Sequence, residues 1–244
     1  AADTARYAGR LAEARDQVNY YLYWGQPTEA ETRSGLDRVN WLLLMIGAMS
    51  LGFWIWLALK CNRHDPPAQP GTTNGLPRGL GGWLVLPGLG LIATPFFAVF
   101  TLVSNLEAWT ADTWANLTTF GNEAYHALWA PALVFELSMQ LGVLVFGIFV
   151  LILFFRRRSS LPRIFIAFQI AVQLQLLIDT ALVNAIPQVA AEPGEGAQAF
   201  GSLLGTVIWI AYFLKSSRVA NTFVVRREKS TASVPRVPAE AFSL

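Results

Sequence analysis

Five stretches of this chain are each about twenty residues long and almost wholly apolar, and few folds are open to a chain that carries five of them. A hydrocarbon core about 30 Å thick is crossed by roughly 20 helical residues, and backbone polar groups inside it must bond within their own segment because no water reaches them. The stretches are 39–60, 80–104, 130–155, 164–186 and 199–214, the last extended by a juxtamembrane continuation to 225. With 54% hydrophobic and 14% charged residues, a water-soluble domain is excluded. A single cysteine, Cys61, also excludes an intramolecular disulfide framework and a cysteine zinc cage. The expected fold is an all-α, polytopic membrane protein with five transmembrane helices.

Basic residues orient these spans, because short translocated loops are poor in Lys and Arg. Lys60 closes span one, Arg63 and Arg78 lie between spans one and two, and Arg156, Arg157, Arg158 and Arg163 between three and four. Lys215, Arg218, Arg226, Arg227, Lys229 and Arg236 follow span five. The segments 105–129 and 187–200 hold no Lys or Arg but contain Glu107, Asp112, Glu123, Glu192 and Glu195. The expected topology therefore has an external N-terminal segment, 1–38, and a cytoplasmic C-terminus.

In the N-terminal segment, Tyr7, Leu11, Ala14, Val18 and Tyr21 form one stripe with charges elsewhere, which reads as an exported amphipathic helix in need of a partner surface. Ala-Ala-Asp at its start suits either a signal-peptide cleavage product or an internal piece of a longer protein. The tract 61–79, with its run DPPAQPGTTNGLPR, is a cytoplasmic Pro/Gly linker, since Pro removes donors and Gly adds backbone freedom. It separates an anchor helix, span one, from a four-helix module, 80–225. The tail 226–244 reads as disordered. Small pairs at four-residue spacing, Ala48/Gly52, Ser138/Gly142 and Gly201/Gly205, are candidates for close helix packing. Trp41, Trp54, Trp56, Trp83, Trp129 and Tyr212 fall near span ends, where amphipathic rings anchor at headgroup level.

Only Glu136 and Asp179 are ionisable within the spans, and a carboxylate there is costly enough to be a functional hypothesis. Counted from the external span ends, both lie roughly 10 Å deep. Gln140 is one turn below Glu136 and Gln175 one turn below Asp179, so two carboxylate-and-amide ladders are placed to face each other. As a functional site they would share a proton or hold a cation. As structure they would hydrogen-bond neighbouring helices, and that is the leading reading.

Other chemistry has little support. The chain has no P-loop, dinucleotide fingerprint or zinc-protease motif, and Cys61 with His64 supplies two ligands where structural zinc needs four. No cofactor or metal is expected, and no nucleic-acid partner, because the basic runs accompany no recognition-fold signature. Those runs instead suit anionic lipid headgroups.

Residues 80–226 resemble a bacterial inner-membrane family, domain of unknown function 2569. The resemblance rests on Gly81-Gly82-Trp83-Leu84 with Pro87 following, on Phe154-Phe155-Arg156-Arg157-Arg158 leading to Leu161-Pro162, and on the closing run YFLKSSRVANTFV. Within that run Arg218, Val219, Thr222 and Phe223 are among the most specific matches. The resemblance implies a four-helix membrane module of no established activity, located in the inner membrane and sometimes ending a longer protein. Physically, Arg218 is placed to snorkel to phosphates while Val219 and Phe223 lie along the interface, or else the motif docks a partner. The leading function is a membrane anchor or interaction module for an exported segment, an upstream domain or a protein partner. The alternative is a small transporter or ion-coupled protein using Glu136 and Asp179. An enzyme is the least favoured reading.

Overall fold

The computed structural model describes residues 38–63, 66, 79–187 and 194–225. The amphipathic stripe of the N-terminal segment, most of the Pro/Gly linker, and the tail 226–244 lie outside these residues. The described chain is helical throughout, with no named strand. It comprises α1 (Trp41–Asn62), α2 (Val85–Ser104), the short α3 (Ala111–Thr118), α4 (Trp129–Phe155), α5 (Leu161–Asn184), α6 (Glu195–Lys215) and the short α7 (Ser217–Thr222). Five of these helices, α1, α2, α4, α5 and α6, are long and apolar enough to cross a membrane.

Local chemistry sets the boundaries. Asn40 opens α1 by accepting from the Leu43 amide at 3.1 Å, Thr110 opens α3 and Ser216 opens α7, each satisfying a donor that has no partner within the helix. Pro87 and Pro162 occupy first turns, where a missing N–H costs nothing. Gly194, left-handed at φ 102°, begins α6.

α4 is the central helix, packed on α1, α2 and α5, while α6 packs on α5. Successive spans alternate in direction, as contacts at both ends require. At one end Val39 pairs with Thr110 and Asn105 meets Glu136. At the other, Ser159 and Val225 pair through the backbone and Arg218 reaches Gly81. Lys60, Arg63, Arg156, Arg157, Arg158, Arg163, Lys215 and Arg218 therefore gather at this second end, and Glu107, Asp112 and Glu123 at the first.

A cluster of buried side chains lies towards the basic end, around Leu84, Leu91, Val150, Phe154, Phe165, Phe213, Val219 and Phe223. Phe165 and Phe213 stack with ring centroids 4.0 Å apart, and Phe223 lies against both Phe213 and Phe154. In lipid, where tails are as apolar as side chains, such contacts hold helices together by dispersion rather than by exclusion of water.

Small residues let α4 make these contacts. Gly142 seats the Trp54 indole so closely that a Cβ would lie 2.7 Å from its Cε2, and Trp54 Nε1 donates to the Ser138 carbonyl at 2.8 Å. Trp54 is therefore docked on α4 rather than held at a headgroup boundary, because the Ser138/Gly142 face gives it both space and an acceptor. Gly88 and Gly147, not singled out by four-residue spacing, are equally tight against Phe154 and Thr94. Gly52, Gly201 and Gly205 meet nothing within 4 Å among the described residues.

Candidate functional site

The intramembrane polar residues fall into a set near the acidic end and a smaller set deeper in the bundle. Asn105, the residue closing α2, donates from Nδ2 to Glu136 Oε1 at 3.1 Å. One turn further along α4, Gln140 Nε2 donates to the Ala98 carbonyl at 3.2 Å. Both side chains expected to face α5 thus tie α4 to α2. Asp179 of α5 remains within electrostatic reach of Glu136.

Gln175 borders a cavity of about 280 Å³ between α1, α4 and α5, lined otherwise by groups such as Trp54, Met139 and Phe168. Its Oε1 is buried without a hydrogen-bond partner among the described residues, and no hydrogen bond there joins the Gln140 and Gln175 amides. The two ladders therefore do not pair by hydrogen bonds among the described residues, and Gln140 bonds the Ala98 carbonyl of α2 instead. Deeper still, buried Gln173 accepts from Ser202 at 3.1 Å and Thr206 at 3.4 Å, linking α5 to α6.

The motif residues converge at the basic end. Arg218 Nη1 donates to the Gly81 carbonyl at 2.7 Å across 137 residues of sequence. Thr222 Oγ1 accepts from the Gly79 amide at 3.1 Å and lies 3.3 Å from the Gly79 carbonyl. Gly82, at φ 63°, lets the chain turn under the guanidinium, whose Cζ and Nη1 would each lie 3.0 Å from a Cβ at that position. Val219 and Phe223 are 0% and 2% exposed. The reading of these two along a membrane interface is therefore corrected: α7 turns inward, so both enter the aromatic core. Arg218 spends one of its five donors on the Gly81 carbonyl. Trp83 is 72% exposed.

A backbone exchange completes the closure. Ser159 donates to the Val225 carbonyl at 3.0 Å, and Val225 donates to the Arg157 carbonyl at 3.1 Å. Arg157 is held left-handed at φ 50°, a conformation costing an L-residue about 1–2 kcal/mol, and this exchange helps to fix it. Ser159 Oγ also donates to the Pro66 carbonyl at 3.0 Å, bringing the start of the linker to the same place.

Asn105, Ser202 and Thr206 were not foreseen as partners. Asn105 carried a signal, as the polar residue ending an apolar span directly before an acidic loop, but its partner depended on helix rotation. Among the described residues no group of three His, Cys, Asp or Glu side chains is placed to hold a metal ion. The bonds described here join helices and order the basic end.

Comparison with known proteins agrees with this architecture. The chain is similar to the inner membrane protein YdgK of Escherichia coli (strain K12), with 29% identity over 160 residues that cover 62% of this chain and 98% of the relative. No solved structure matches it significantly. The model of the family described as "Protein of unknown function (DUF2569)" matches residues 77–224, from just before the Gly79–Gly82 turn to just past Phe223. This chain, a multi-pass inner-membrane protein, belongs to the DUF2569 family.

Proposed function

We propose that the protein is a membrane anchor and interaction scaffold, with the N-terminal segment outside the inner membrane and the basic end in the cytoplasm. The observation that carries this reading is the use of its intramembrane polar groups: Glu136, Gln140 and Gln173 each bond a neighbouring helix. Such bonds contribute about 0.6–2 kcal/mol each in a membrane protein and fix helix rotation. The internal Arg218–Gly81 and Thr222–Gly79 contacts add a rigid cytoplasmic closure. A framework tied at this many points is suited to holding an exported segment, or a partner or upstream domain joined to it, at a fixed place on the membrane. The basic cluster supports the orientation by the positive-inside rule, and it supports contact with anionic headgroups.

The test is reconstitution of the full chain into proteoliposomes, with proton and monovalent-cation flux measured for the wild type and for Glu136→Gln with Asp179→Asn. The scaffold reading predicts no flux above empty vesicles and a folded double variant. A flux that the double substitution abolishes would overturn it in favour of ion movement.

A further inference from the structure

A groove of about 640 Å³ runs between α1 and α4 at the basic end. Its walls include Ile55 and Leu59 from α1 and Ile148 and Ile152 from α4, and Arg156 and Arg158 line it as well. The four aliphatic side chains are between 43% and 59% exposed, so they face whatever fills the groove. Along α4 the lining extends from Val145 to Arg156, a rise of about 16 Å, close to one leaflet of the hydrocarbon core.

We infer that this groove is a binding site for a single anionic glycerophospholipid of the cytoplasmic leaflet. Three features select that occupant. The groove is one leaflet deep, matching a lipid held upright; its walls are apolar along that depth, matching acyl chain. The exposed Arg156 stands at its headgroup end, where planar donors match phosphate oxygens in pairs, with the buried Arg158 behind it. Basic pockets between transmembrane helices on the cytoplasmic side recognise phospholipid headgroups by this chemistry. The assignment rests on the orientation proposed above and deepens the general contact with anionic headgroups into one site. The Ser159–Val225 exchange fixes the turn carrying Arg156 and Arg158, so the site is built into the closure of the bundle.

The test is native mass spectrometry of the full-length protein released from nanodiscs containing equal phosphatidylglycerol and phosphatidylcholine. The wild type should retain one phosphatidylglycerol. Arg156→Gln should weaken retention roughly tenfold, the loss of one charge-assisted phosphate contact. Ile152→Trp should weaken it by narrowing the groove at its wall while leaving every charge in place, and it keeps the test decisive if Arg156→Gln unfolds. Arg163→Gln, an exposed arginine outside the groove, should have no effect. Equal loss with Arg163→Gln would overturn the single site and leave only diffuse attraction, whereas no preference for phosphatidylglycerol would overturn the headgroup contact as well. A dimer that retains no lipid would assign the groove to a second copy instead.

Discussion

Replacing Gly82 by alanine should destabilise the protein by up to about 3 kcal/mol, and by less when Arg218 is already gone. Gly82 is left-handed at φ 63°, where an L-residue is strained by about 1–2 kcal/mol. A Cβ there would lie 3.0 Å from both Arg218 Cζ and Nη1, so the guanidinium must shift by a few tenths of an ångström against the Gly81 carbonyl that it meets at 2.7 Å, weakening that bond. A hydrogen bond from a charged donor is worth about 1.5–3 kcal/mol, and the lower end applies at this half-exposed side chain. Alanine's smaller unfolded-state entropy returns about 0.5 kcal/mol. In an Arg218→Met background the bond is absent, so Gly82→Ala should cost only about 0.5–1.5 kcal/mol. The assay is a double-mutant cycle by reversible unfolding in mixed dodecylmaltoside and dodecyl sulfate micelles, with an expected coupling above zero and up to about 1.5 kcal/mol. Equal costs in the two backgrounds would refute the latch, leaving Gly82 as a turn residue alone.

Other parts of the account are checked in the same unfolding assay. Phe213→Ala should cost about 3–5 kcal/mol, because its ring is buried against Phe165 and Phe223, whereas Phe100→Ala, on a 68% exposed position, should stay within about 0.5 kcal/mol. Gly142→Leu should separate α1 from α4 by displacing the Trp54 ring, read as lost cross-linking between cysteines placed on the two helices and as destabilisation of about 1–3 kcal/mol. Asn105→Ala should cost about 0.6–2 kcal/mol through its bond to Glu136, and in a Glu136→Gln background the same change should cost measurably less.

Much of this architecture was legible in the sequence because hydropathy acts segment by segment. Each of the five spans is apolar enough to declare itself without knowledge of its neighbours. Helix rotation is a different quantity: it depends on which partner offers space or a bond, and apolar spans encode it weakly when lipid and protein are equally hydrophobic. Glu136 and Gln140 were expected to face α5, yet their hydrogen-bond partners lie on α2, through Asn105 and Ala98. The motif residues were recognised as a group, but the reason they act together is the return of α7 to the start of α2 across more than a hundred residues, a tertiary event with no local signal. Trp54 shows the same limit, since tryptophan suits both a headgroup boundary and a glycine-made notch, and Gly142 on another helix decides between them.

The most direct test of the scaffold is its orientation in the membrane. Phe120, 87% exposed in the loop after α3, is replaced by cysteine in a Cys61→Ala background, and intact cells whose outer membrane has been made permeable are treated with a membrane-impermeant maleimide. The account predicts labelling at position 120 before lysis. The native Cys61, at the basic end, should react in otherwise unmodified protein only after the inner membrane is opened. Labelling of Cys61 in intact cells, with position 120 protected until lysis, would place the basic end outside and contradict the account.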